Sequence, residues 1–169
     1  SRQPHSEFGN LNRLEYRALE GFVLSITPFN FTAIASNLNA APAMMGNTLV
    51  WKPASTSVLS NYYLMKVFME AGLPEGVINF IPSSGKDISA TALKNKHLAG
   101  IHFTGSTGTF NHLWRGTGEN LGNYTSYPKL IGETGGKDFI VVHPSADMDE
   151  VATAIIRGAF EYQGQKCSA

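Results

Sequence analysis

One cysteine stands in 169 residues, and that scarcity excludes a great deal. A lone thiol closes no intrachain disulfide and builds no cysteine-rich metal site, which leaves packing or reactivity as its uses. Net charge is equally scant, because thirteen lysines and arginines balance thirteen aspartates and glutamates. A formal charge of zero gives no electrostatic ground for binding nucleic acid or a membrane surface, so small molecules are the expected partners. The histidines, at 5, 97, 102, 112 and 143, show no ligand spacing, and no metal is assigned. From Gly21 to Trp51 the chain carries neither charge nor histidine. That stretch is long enough to cross a membrane, but Pro28, Asn30, Asn37, Asn39, Pro42, Gly46 and Asn47 punctuate it. A soluble strand, loop, helix and strand account for it better.

With 43% hydrophobic and 15% charged residues the composition is globular, and the length allows one good core, in one to one and a half domains. The cysteine is Cys167, in Phe160-Glu161-Tyr162-Gln163-Gly164-Gln165-Lys166-Cys167-Ser168-Ala169. A free cysteine commonly serves as a small core hydrophobe. Gly164, Gln165, Lys166 and Ser168 would bring polar and charged groups into the core with it, and they suit a partly exposed, electropositive thiol instead. Cys167 is read as a nucleophile.

Apolar runs and helical spacings alternate along the chain. Strands are expected at Phe22–Ile26, Thr48–Trp51, Val77–Ile81, Gly100–Phe103, Lys129–Ile131 and Phe139–Val142. Between them helices are expected at Phe31–Met45, interrupted or ended near Pro42, at Ser57–Ala71, at Lys86–Asn95 and, after Thr104-Gly105-Ser106-Thr107-Gly108, to about Leu121. A last helix opens at Asp147, with Glu150 placed to answer it in a capping box, and runs to about Tyr162. Residues 1–20 are polar and irregular. The alternation predicts an α/β fold with a parallel sheet, whose ligands sit beyond the carboxyl ends of the strands.

Four strand-to-helix loops carry chemistry. Gly105-Ser106-Thr107-Gly108 opens a helix, where free N–H groups favour a phosphate, although a plain helix cap reads equally well and no G-x-G-x-x-G fingerprint is present. Lys52, after the second strand, is either solvated or a donor to ribose hydroxyls. Asn30, beyond the first strand, is either a turn asparagine or a donor to an oxyanion. Glu133 lies in Gly132-Glu133-Thr134-Gly135-Gly136-Lys137, a glycine-rich turn that lets backbone approach a ligand.

The joint order of Pro28-Phe29-Asn30-Phe31, Trp51-Lys52-Pro53, Ala71-Gly72-Leu73-Pro74, Phe103-Thr104-Gly105-Ser106, Gly132-Glu133-Thr134-Gly135-Gly136-Lys137 and Gly164-Gln165-Lys166-Cys167 resembles the NAD(P)-dependent aldehyde dehydrogenase superfamily. The last ten residues, Phe29 and Phe103-Thr104-Gly105-Ser106 look most like its Δ1-pyrroline-5-carboxylate (L-glutamate γ-semialdehyde) dehydrogenase branch. The resemblance implies a Rossmann-like cofactor domain over 21–135 and the beginning of a catalytic domain over 136–169. It further implies Cys167 as nucleophile, Glu133 as the base for thioester hydrolysis and Asn30 as oxyanion donor. Thr27, Lys52, Ser55, Gly105, Ser106, Thr107, Gly108 and Thr109 would hold NAD, with Phe31 and Ser168 lining the aldehyde pocket. Ser55 stands where NAD-preferring relatives often carry glutamate, so NADP is an expected alternative.

The reaction so implied oxidises glutamate semialdehyde to glutamate in proline breakdown, in a mitochondrial matrix or a bacterial cytoplasm, within a homo-oligomer. Another semialdehyde, an acyl-CoA-forming reaction, or a noncatalytic nucleotide-binding module are the alternatives. Starting at a serine and stopping just past Cys167, the chain is expected to be a fragment with little turnover alone. Cys167 also follows a helix C-terminus, where the dipole opposes a thiolate, so activation is expected from Lys166 or from bound nicotinamide.

Overall fold

The computed structural model describes residues 2–168. Its centre is a parallel sheet of five strands, β1 (Phe22–Ile26), β2 (Thr48–Lys52), β3 (Ile78–Phe80), β4 (Leu98–Thr104) and β5 (Lys129–Glu133), in the order β3-β2-β1-β4-β5. The helices are α1 (Thr32–Met44), α2 (Val58–Glu70), α3 (Gly85–Ala92), α4 (Thr107–Glu119) and α5 (Met148–Phe160). A parallel sheet needs both faces covered, and the side chains of β1 divide accordingly. Leu24 and Ile26 join Ile101 and Phe103 beneath Leu93, Phe110 and Leu113 of the α3–α4 side. Val23 joins Leu49, Trp51 and Ile78 beneath Ala35, Leu64 and Phe68 of the α1–α2 side.

The strand order reverses between β1 and β4, so the loops that leave their carboxyl ends diverge and open a crevice. Gly21 sets the start of β1. Its φ is +124°, and a Cβ there would lie 2.1 Å from the His97 carbonyl oxygen, the same oxygen that accepts the Phe22 N–H at 3.0 Å.

The expected helix α1 runs through Pro42 instead of ending at it. Proline has no N–H for the carbonyl four residues back, that of Leu38. The ring of His102, on β4, reaches that oxygen from Nδ1 at 2.9 Å and replaces the missing donor. Asn47 then closes the C-terminal turn, its Nδ2 donating to the Pro42 carbonyl at 2.9 Å while its Oδ1 accepts the Leu19 N–H at 2.8 Å.

One expected strand is absent. Phe139–Val142 forms no strand and pairs with nothing among the described residues, with Phe139 85% and Val141 83% exposed. An apolar run specifies a strand only when a neighbour offers a ladder, and here the sheet already ends at β5. The start of α5 is capped as expected by Asp147, whose Oδ1 accepts from the N–H groups of Asp149 and Glu150. Glu150 makes no reciprocal bond among the described residues, so the box is half formed. Helix α5 ends at Phe160, and Tyr162, Gln163 and Gly164 then take positive φ values of 55°, 52° and 68°.

Candidate active site

A cleft of about 590 Å³ opens at the carboxyl edge of the sheet. The ends of β1, β2 and β4 and the turn after β5 line it, with the segment Gly164–Cys167 closing its other side. Of the residues singled out in the sequence, Thr27, Asn30, Lys52, Gly105, Ser106, Thr109 and Cys167 meet there.

Each is held by local structure. Thr27 is buried at the end of β1, and its Oγ1 accepts the indole N–H of Trp51 at 2.9 Å. Asn30 donates from Nδ2 to the Gln165 carbonyl at 2.9 Å, while its Oδ1 is buried without a partner among the described residues. One N–H of that amide remains free for a ligand. Lys52 is only 8% exposed, yet its ammonium has no hydrogen bond or ion pair among the described residues. Burial pushes its pKa below the usual value. With its stem buried and its ammonium unpaired among the described residues at the cleft, Lys52 suits an anion or a polyhydroxyl ligand.

Ser106 is the N-cap of α4: its Oγ accepts the Thr109 N–H at 3.2 Å and pairs with Thr109 Oγ1 at 2.8 Å. The plain helix-cap reading is therefore realised, and the cap also faces the cleft. Thr107 and Gly108, in the first turn, do not line the cleft. A Cβ on Gly105 would meet the Phe103 ring at 2.8 Å, so backbone alone fits between that ring and the cleft. A free lysine, a glycine-floored turn and the start of a helix together fit a dinucleotide.

Cys167 is half-buried and reduced. Gly136 lies against it, since a Cβ there would stand 3.5 Å from the Cys167 carbonyl oxygen. The sequence offered Lys166 as one activator of the thiol. Its Nζ instead pairs with Glu161 and donates to the Arg157 carbonyl at the end of α5. That charge is spent on its own helix.

The aldehyde dehydrogenase family model matches residues 3–169. The chain belongs to the aldehyde dehydrogenase family. It is 54% identical to the mitochondrial Δ1-pyrroline-5-carboxylate dehydrogenase of Dictyostelium discoideum over 98% of this chain and 30% of that protein. It is 51% identical to the enzyme so named from Mus musculus, over 99% of this chain and 30% of that protein. A crystal structure of the Mycobacterium tuberculosis Δ-pyrroline-5-carboxylate dehydrogenase bound with NAD superposes with a TM-score of 0.92 at 60% identity, covering 99% of this chain and 31% of that one. The chain thus spans about 30% of the length of the relatives it matches.

Other residues to which the family resemblance assigned roles stand outside the cleft lining. Glu133 ends β5, and its carbonyl accepts the Gly105 N–H at 3.1 Å while its carboxylate is exposed, without a partner among the described residues. Its neighbours Thr134, Gly135 and Gly136 line the cleft. Ser55 begins an exposed turn after β2. Phe31 stacks obliquely on Tyr162 with ring centroids 6.3 Å apart, and Ser168 is exposed beside Cys167. Among the described residues no three histidine, cysteine, aspartate or glutamate side chains cluster as metal ligands.

Gln165 and Glu161 are the contacts that sequence reasoning missed. A carbonyl leaves no trace in sequence, so Gln165 was illegible. Glu161, placed five residues before Lys166, was visible as a charge pair across the turn.

Proposed function

We propose that this chain supplies the cofactor cleft and the nucleophile of an enzyme that oxidises L-glutamate γ-semialdehyde to L-glutamate with NAD, the closing step of proline breakdown. The observation that carries the reading is the convergence of Asn30, Lys52, Ser106 and Cys167 on one cleft at the sheet's switch point. Relatives at 50–54% identity that bear the name Δ1-pyrroline-5-carboxylate dehydrogenase support the choice of aldehyde.

In this reading Thr27, Lys52, Gly105, Ser106 and Thr109 hold the dinucleotide, with Thr107 and Gly108 lending first-turn N–H groups. The Cys167 sulfur bonds to the aldehyde carbon, and the carbonyl oxygen becomes an oxyanion held by the free Asn30 N–H and the Cys167 backbone N–H. Bound NAD supplies the hydride acceptor, and a thioester is left on Cys167. Glu133 takes a proton from water, the hydroxide adds to the thioester carbon, and the carbon–sulfur bond breaks to release glutamate and the thiolate. Phe31 and Ser168 border the aldehyde. With Lys166 occupied by Glu161, the positive nicotinamide ring is the activator of the thiol. Ser55 leaves the region after β2 without a carboxylate, so NADP is accepted as well as NAD.

The division at 135/136 between cofactor and catalytic parts belongs to the same reading, as does assembly of the full-length protein into a homo-oligomer. In a eukaryotic source the enzyme resides in the mitochondrial matrix, a reading supported by the word mitochondrial in the names of the Dictyostelium discoideum and Mus musculus relatives, and in a bacterial source in the cytoplasm. The test uses full-length protein and follows NADH formation with pyrroline-5-carboxylate, succinic semialdehyde and a simple aliphatic aldehyde. Preference for the first, abolished by Cys167→Ala, supports the proposal. Preference for another aldehyde moves the substrate, and no turnover with any favours a noncatalytic nucleotide-binding module.

A further inference from the structure

The segment that presents Cys167 is tethered twice, and only one tether belongs to the reaction. Gln165 is bound by Asn30 of the β1 loop. Lys166 is bound on the opposite side, where its ammonium pairs with the Glu161 carboxylate and donates to the Arg157 carbonyl at 3.2 Å. Between Glu161 and Gln165 the backbone passes through three consecutive left-handed residues, Tyr162, Gln163 and Gly164. Two of these are not glycine. Such a conformation persists only when its surroundings over-determine it.

Glu161 is half-exposed, so its pairs with Lys166 and, at 3.9 Å, with Arg157 do little for global stability. Their effect is on geometry and on where charge lies. Without Glu161, Lys166 adjoins a thiol and faces a cleft that otherwise holds one carboxylate in its lining, Asp138.

We propose that Glu161 is a positioning residue for Cys167: by drawing the Lys166 ammonium onto the end of α5 it fixes the residue joined to the nucleophile and keeps that positive charge off the sulfur. This rests on Cys167 being the nucleophile.

The test compares two alkylating agents on full-length protein, neutral iodoacetamide and anionic iodoacetate. With either, the Cys167 sulfur bonds to carbon and iodide leaves, so neither needs turnover. A loosened loop changes both rates together, whereas a displaced charge changes their ratio. In Glu161→Gln the freed ammonium raises the iodoacetate-to-iodoacetamide rate ratio about threefold at low salt, an increase that 1 M salt removes. In Lys166→Met the unpaired Glu161 carboxylate lowers the ratio, and the double variant returns it to the parent value. Glu161→Asp keeps the parent ratio. An unchanged ratio in either Glu161→Gln or Lys166→Met overturns the proposal. Failure of the full-length protein to oxidise any aldehyde would defeat the functional reading while leaving this comparison intact.

Discussion

Asn30 and Gln165, 135 residues apart in sequence, are joined by one hydrogen bond, from the asparagine Nδ2 to the glutamine carbonyl at 2.9 Å. The bond ties the loop after β1 to the segment that carries Cys167 and aims the amide into the cleft. Removing it with Asn30→Ala takes away both the tether and the proposed oxyanion donor. The loss in kcat should be about 10²-fold or more, the usual cost of one such donor. Asn30→Asp should be no better, because a carboxylate cannot donate to the Gln165 carbonyl. Steady-state kinetics on full-length protein, with circular dichroism as a control for folding, read both variants.

Lys52 tests the proposed dinucleotide site. Burial lowers its folded-state pKa below the ordinary 10.5, so the unfolded chain binds more protons between the two values. Stability contributed by this group therefore rises with pH through that window, and below it the buried charge is a standing penalty. Lys52→Met should raise the thermal midpoint at pH 7 while weakening NAD binding about tenfold, the loss of a charged hydrogen bond. Thermal unfolding and a fluorescence titration with NAD check the two halves.

Glu133 tests the second half-reaction. If its exposed carboxylate activates the hydrolytic water, Glu133→Gln should form the thioester and then stall. Stopped-flow absorbance on full-length protein should show a burst of about one NADH per site followed by turnover reduced by about 10²–10⁴-fold. Loss of the burst itself would assign Glu133 to an earlier step.

Much of the fold was legible because the core strands are continuous apolar runs bounded by turn residues. Phe22–Ile26 is an apolar run that Pro28 stops, and the structure gives those same bounds. Phe139–Val142 has the same local signal and forms no strand, since a strand is a property of a pair and nothing in a single run reveals its neighbour. Pro42 misled in the other direction, because the histidine that repairs its broken hydrogen bond lies on β4. The place of Asn30, Lys52 and Ser106 on the cleft was legible because it depends on loop position. Lys166 was offered, beside bound nicotinamide, as an activator of the neighbouring thiol, and in the structure its ammonium pairs instead with Glu161, a partner that the sequence displays five residues earlier.

The same repair gives a prediction for stability without function. His102→Ala leaves the Leu38 carbonyl without the donor that Pro42 cannot supply. An unsatisfied buried acceptor costs about 1–3 kcal/mol, which chemical denaturation measures. The His102 ring turns to α1 and is not part of the cleft lining, although Phe103 next to it is, so kcat/KM should be unchanged.

In the proposed reaction Cys167 carries the substrate covalently. Full-length Glu133→Gln protein, mixed with NAD and pyrroline-5-carboxylate and quenched in acid, should yield a Cys167 peptide bearing a glutamyl adduct by mass spectrometry. An unmodified Cys167, with the adduct on another residue or on none, would contradict it.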